Sequence, residues 1–150
     1  MEIKREHYLQ QLIDRQWNGM VKIITGIRRC GKSFLLRTLF RNHLLQQGVK
    51  EEQIIHIELD LTKNIRYRNP LELAAYVHSL IDGKSEKYYL FIDEIQMCEP
   101  VKNPYLPDGK KITFYDTLNE FKEIPNLDVY VTGSNSKMLS TDILTEFRGR

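Results

Sequence analysis

The sequence predicts an α/β domain of three layers, with a mainly parallel sheet between two layers of helices. Two observations carry this. Four short apolar runs rich in β-branched and aromatic residues recur along the chain, and segments of helical periodicity separate them. The runs are also almost continuously apolar, which suits strands covered on both faces better than strands with one wet face.

The elements follow in order. A short amphipathic helix over about residues 5–15 comes first, and the first strand spans 21–25 (VKIIT). Residues 33–47 place Leu35, Leu36, Leu39, Phe40, His43 and Leu44 on one helical face, and Gly48 follows as a stop. The second strand covers 54–59 (IIHIEL). A helix over 70–81 opens with Asn69 as N-cap, Pro70 in its first position and Glu72 three residues after the cap. The third strand, 88–92 (YYLFI), is wholly apolar. After a loop-like stretch at 99–111 (EPVKNPYLPDGKK), a helix over 113–124 repeats apolar residues at Phe114, Leu118 and Phe121 and is ended by Pro125. The fourth strand is 127–132 (LDVYVT), and a last helix is expected over 136–147. Strands alternating with helices imply parallel crossover units. No repeat, low-complexity tract or composition break divides the chain, so residues 1–150 read as one domain.

Composition narrows the function classes. With 41% hydrophobic and 28% charged residues the chain is neither disordered nor membranous. No apolar run reaches bilayer length, and the charged start MEIKREHYLQ is not a secretory signal. Cys30 and Cys98 are too few for a disulfide scaffold and suit a reducing, cytoplasmic setting. The net charge of +2 is an average over unlike thirds. Residues 1–50 carry ten Lys/Arg against three Asp/Glu, residues 51–100 five against ten, and residues 101–150 seven against seven. A basic opening and an acidic middle fit a nucleic-acid arm, two attracting faces, or a first third that handles a polyanionic ligand.

The motifs favour the polyanion. The first strand runs into Gly26, Ile27, Arg28, Arg29, Cys30, Gly31, Lys32 and Ser33, with Phe34 opening a helix. This is G-x-x-x-x-G-K-[ST] between a strand and a helix, the P-loop pattern. Gly26 and Gly31 permit backbone turns in which successive N–H groups face phosphate oxygens, and the helix start adds its positive end. Lys32 brings a charge to the β- and γ-phosphates, and the Ser33 hydroxyl is a ligand for Mg²⁺. The stretch from Gly26 to Phe34 is therefore the expected ATP-binding segment. The side chains of Arg28, Arg29 and Cys30 are expected at its rim, where a thiol near a helix start and two arginines has the setting of a lowered pKa.

The third strand ends in Asp93-Glu94, at the carboxyl edge where parallel sheets hold their ligands. Asp93 is positioned to hold the hydration shell of Mg²⁺, and Glu94 to orient and polarise the attacking water. An intervening strand plus an acid after the aspartate resembles the ASCE division of P-loop ATPases. Nucleotide kinases usually lack that glutamate and use an arginine-rich lid; here no arginine-rich lid candidate is found, and Arg66 and Arg68 are expected on an exposed connection. At the tip of the fourth strand, Thr132, Ser134 and Asn135 each qualify for the sensor position of related ATPases. A turn capping the next helix accounts for the same residues.

Together GIRRCGKS, YLFIDEIQ and DVYVTGSNSKML resemble, in order and spacing, a prokaryotic family of predicted AAA+-type ATPases. Many of its members carry a C-terminal domain of unknown function similar to a nuclease fold. The resemblance runs from about residue 17 to 150. It implies nucleotide binding by Gly26, Gly31, Lys32 and Ser33, and service to Mg²⁺ and water by Asp93 and Glu94. It also implies an arginine finger in a homo-oligomer, for which Arg150 fits the family's Gly-Arg pair better than Arg148. By the same resemblance a fifth strand, a helical lid and a C-terminal region are expected beyond this core.

The function expected is binding of Mg·ATP and, in a full-length or oligomeric form, its hydrolysis by Glu94 with Lys32, Ser134, Asn135 and Arg150 as further catalytic candidates. The alternatives are a nucleotide-gated switch or scaffold with little hydrolysis and, third, a small P-loop kinase. His7, His43, His56 and His78 show no metal-ligand spacing, so zinc is not expected. Tyr67, Tyr88, Tyr89 and Tyr130 read as packing residues. No nucleic-acid motif is present, which leaves general basicity as the sole basis for DNA contact.

Overall fold

A computed structural model describes residues 2–25 and 34–133. Among the described residues four strands, β1 (Lys22–Ile24), β2 (Ile54–Glu58), β3 (Tyr88–Asp93) and β4 (Leu127–Thr132), form one sheet in the order β1-β4-β3-β2. Every pairing is parallel. Although β2 comes between β1 and β3 in the sequence, the strand lying between them in space is β4, and β2 is on the outside.

Alternation along the strands divides the core in two. Ile24, Ile54, Tyr89, Phe91 and Tyr130 face α1 (Glu2–Asp14) and α2 (residues 35–46), meeting Leu12, Leu36 and Phe40. Ile23, Ile57, Leu90, Ile92, Val129 and Val131 face α3 (Pro70–Ile81) and α4 (Phe114–Lys122), meeting Val77, Leu118 and Phe121. The predicted three-layer α/β architecture is what the chain adopts.

Local chemistry sets the helix ends. Asn69 Oδ1 accepts from the N–H groups of Leu71 (2.9 Å) and Glu72 (3.4 Å), capping α3 behind Pro70. The Glu72 carboxylate takes the Nε–H of Arg66 at 2.9 Å. Thr113 and Asp116 form a reciprocal capping box at α4. The helix after residues 26–33 is less regular than its periodicity predicts: α2 opens as a π-helix, Leu35–Phe40, and becomes α-helical over Arg41–Gln46. Such wide turns are rare and cluster at functional sites. Gly48, at φ 97°, ends it as expected. Tyr88, Tyr89 and Tyr130 are buried, and Tyr67 stacks on Tyr76 with centroids 4.5 Å apart, so these tyrosines are packing residues.

At the amino ends of β1 and β4 lies a buried ion pair. Lys22 Nζ donates to Asp128 Oδ1 at 2.6 Å, to the Met20 carbonyl at 2.9 Å and to Asn18 Oδ1 at 3.2 Å. Asp128 Oδ2 takes the Trp17 N–H at 2.9 Å and also the Tyr130 hydroxyl. All three ammonium hydrogens therefore find acceptors, and both carboxylate oxygens find donors. The expected helix over 136–147 lies outside the described residues.

Candidate functional site

The carboxyl ends of β2, β3 and β4 converge on Asp93. It is the last residue of β3 and is 1% exposed. Its Oδ1 accepts from the Thr132 hydroxyl of β4 at 3.1 Å, and its Oδ2 pairs with His56 Nε2 of β2 at 2.8 Å. A carboxylate offers lone pairs alone, so with Asp93 ionised the proton of this bond is on Nε2. Strands on both sides of β3 thus hold the two oxygens. The Asp93 carbonyl also accepts from the Leu59 N–H at 3.1 Å, which fastens the end of β2.

Glu94 leaves the sheet abruptly. Its φ of 61° and ψ of 53° are left-handed, a conformation that costs a non-glycine residue on the order of 1 kcal/mol or more. Two bonds hold it there: the Glu94 N–H donates to Thr132 Oγ1 at 3.0 Å, and the Met97 N–H to the Glu94 carbonyl at 2.9 Å. Buried Ile95 anchors the short 3₁₀ turn that follows. The turn swings the Glu94 side chain off the strand, where Gln96 Nε2 donates to its Oε1 at 2.7 Å.

Thr132, named in the sequence as one of three candidates at the strand tip, has both functions of its hydroxyl engaged by the acidic pair. Nearby, the Gly133 N–H donates to the Ile24 carbonyl at 3.3 Å and ties the tip of β4 to β1. Strand β1 and helix α2, the elements that flank residues 26–33, are both in place.

Of the residues expected at the site, Phe34, Asp93, Glu94 and Thr132 are described. Phe34 stands in helical backbone at the N-cap of the π-helix, φ −62° and ψ −40°. Gly26, Ile27, Arg28, Arg29, Cys30, Gly31, Lys32 and Ser33, together with Ser134, Asn135, Arg148 and Arg150, lie outside the described residues. Arg66 sits on an exposed 3₁₀ segment, Thr62–Arg68, whereas Arg68 turns inward and donates from Nε to the Leu59 carbonyl at 2.7 Å.

His56 is the residue that sequence reasoning missed. The absence of metal-ligand spacing among the histidines concealed that the parallel register sets Glu58 opposite Asp93 and His56 opposite Phe91. Consequently ligand atoms of His56, Glu58 and Asp93 all lie within 4.8 Å of one another. Glu58 is also 3.4 Å from the half-exposed guanidinium of Arg37 on α2.

Each Asp93 oxygen has one donor hydrogen among the described groups and retains a further lone pair. The carboxylate can still accept from water around a hard cation, so its chemistry fits Mg²⁺. Cys98 has different chemistry: burial, aided by Glu99, pushes its thiol up to about 12, which makes it a poor nucleophile. A cavity of about 120 Å³ beside Trp17, Met20, Ile124 and Asp128 lies at the opposite ends of the strands from Asp93. No helix among the described residues is long and apolar enough to cross a membrane.

The chain is similar to known proteins in sequence and in fold. The chain is 32% identical over 148 residues to an uncharacterized protein of Haemophilus influenzae, covering 99% of this chain and 34% of the relative. It is 29% identical over 134 residues to an uncharacterized protein of Methanocaldococcus jannaschii, covering 87% of this chain and 24% of that one. The chain thus spans about a third or less of these relatives. Its fold is similar to a chain in the structure of Drosophila ORC bound to AT-rich DNA and Cdc6, with a TM-score of 0.53 at 12% identity over 93% of this chain and 49% of that one. Residues 18–150 match the family described as AAA domain, and the chain belongs to that family.

Proposed function

We propose that residues 1–150 are the nucleotide-binding core of a longer ATPase, which binds Mg·ATP and hydrolyses it to ADP and phosphate. The observation that carries this reading is the acidic pair at the carboxyl edge of β3. One carboxylate, Asp93, is buried and held by two neighbouring strands, while the next, Glu94, is swung out of the sheet on a strained turn.

In this reading the backbone of residues 26–33 and Lys32 bind the phosphates, and Ser33 and Asp93 hold Mg²⁺. The cation, when bound, neutralises charge on the β- and γ-phosphate oxygens. Glu94 orients a water molecule for in-line attack and takes its proton, and Gln96 sets the direction of the Glu94 carboxylate. Thr132 keeps the two acids at a fixed spacing, since its one hydroxyl bonds to both residues. Ser134 and Asn135, next in the sequence, are the further candidates to contact the γ-phosphate. Arg150 completes the charge stabilisation from a neighbouring copy, so turnover requires assembly.

Glu94→Gln tests the assignment. The variant retains ATP affinity and loses turnover by about 10²-fold or more in the full-length protein, as removal of a general base entails. Unchanged turnover in Glu94→Gln would refute the role of Glu94, whereas a pure switch would keep its downstream activity unchanged in this variant.

A further inference from the structure

We propose that His56 is a positioning residue for Asp93, one that makes nucleotide binding responsive to Mg²⁺. This inference rests on the ATPase reading and adds to it a residue from the outer strand β2.

The geometry is specific. His56 Nε2 lies 2.8 Å from Asp93 Oδ2, the oxygen that Thr132 does not hold. The final torsion of an aspartate side chain is broad, so a single donor leaves the carboxylate plane loosely set. Donors on both sides fix it. The imidazole is itself fixed, its ring meeting buried Phe91 edge-on at 5.6 Å and 77°. An apolar residue at this position would leave Oδ2 without that donor in a place 1% exposed, where a missing bond is costly.

The choice of side chain matters as much as the distance. A lysine or arginine would also donate, but its fixed positive charge would compete with a divalent cation for Asp93. An imidazole can donate the one hydrogen bond that orients the carboxylate without carrying a fixed charge. Residues that orient a metal-holding carboxylate through its other oxygen typically influence metal affinity by about 10–100-fold.

The test compares His56→Leu with His56→Gln, side chains of similar bulk of which only glutamine retains a neutral N–H donor. ATP affinity is measured for each in Mg²⁺ and in EDTA, alongside the thermal midpoint of the nucleotide-free chain. His56→Leu is expected to reduce the affinity gained from Mg²⁺ by about tenfold, with affinity in EDTA unchanged, and His56→Gln to recover most of that gain. A full Mg²⁺ gain in a folded His56→Leu chain would overturn the proposal. So would equal losses in Mg²⁺ and EDTA, or a glutamine variant no better than leucine, since these are the marks of a purely structural residue. A wild-type chain that binds ATP with no gain from Mg²⁺ overturns the ATPase reading itself, and this inference with it.

Discussion

The Thr132 hydroxyl donates to Asp93 Oδ1 at 3.1 Å and accepts from the backbone N–H that begins Glu94 at 3.0 Å. One oxygen at the end of β4 therefore sets both acids of the pair: the side chain of the first and the backbone of the second. Replacing it by a group of the same shape without the hydroxyl separates these bonds from packing. Thr132→Val is expected to lower unfolding free energy by about 1–3 kcal/mol, because a buried acceptor and a strained N–H are left without partners. Thr132→Ser keeps the hydroxyl and should recover most of the loss. Urea denaturation of the three chains checks this; equal midpoints for valine and wild type would show that the bonds contribute nothing net.

The second prediction concerns the opposite ends of the strands. Lys22 and Asp128 are paired at 2.6 Å with side-chain exposures of 0% and 4%. Lys22→Met leaves the buried Asp128 carboxylate without its counter-charge and should cost about 3–5 kcal/mol. Adding Asp128→Asn removes the unpaired charge and should restore part of that stability. A double mutant less stable than Lys22→Met alone, measured by denaturation, would contradict the account.

Cys98 provides a pH test. Its thiol is raised to about 12, chiefly by burial. The folded state thus keeps a proton that the unfolded state loses first, and the resulting stabilisation is fully present below the unfolded value. It declines as pH rises from about 9 towards 12. In a Cys30→Ser background, iodoacetamide should modify Cys98 at pH 8 far more slowly than a free thiol, and at the free rate once the chain is unfolded. Rapid modification of the folded chain would be incompatible with the burial described.

His78 joins α3 to α4. Its pKa is raised from 6.5, first by the hydrogen bond to Glu120 and then by Asp82, against desolvation. Because the folded value exceeds the unfolded one, the contribution is complete below about pH 6.5 and fades as pH rises through the folded value. The stability gap between wild type and His78→Ala should accordingly be larger at pH 5.5 than at pH 8.5. The pair is partly exposed, so salt should narrow the gap.

How much of this was legible in the sequence follows from the range of each interaction. Strand β4 and helix α3 have the expected bounds because apolar pattern, Asn69, Pro70 and Pro125 act within a few residues. Asp93-Glu94 was legible because strand and acids are contiguous. His56 was not, since 37 residues separate it from Asp93 and register alone brings them together. The double engagement of Thr132 was hidden for the same reason, although its place at a strand tip marked it as a candidate. The left-handed turn at Glu94 carries no local signal, as glycine would be the expected residue there. Nor does the π-helical opening of α2, because Leu35, Leu36 and Phe40 suit an α-helical stripe equally well.

The central claim is that residues 26–33 and Asp93 together form one Mg·ATP site. The measurement that tests it most directly is calorimetric titration of ATP, in Mg²⁺ and in EDTA, into the wild-type chain, Lys32→Ala and Asp93→Asn. Mg²⁺ should strengthen wild-type binding, Lys32→Ala should show no measurable binding, and Asp93→Asn binding should no longer respond to Mg²⁺. ATP binding undiminished in Lys32→Ala, or a full Mg²⁺ response in Asp93→Asn, would contradict it.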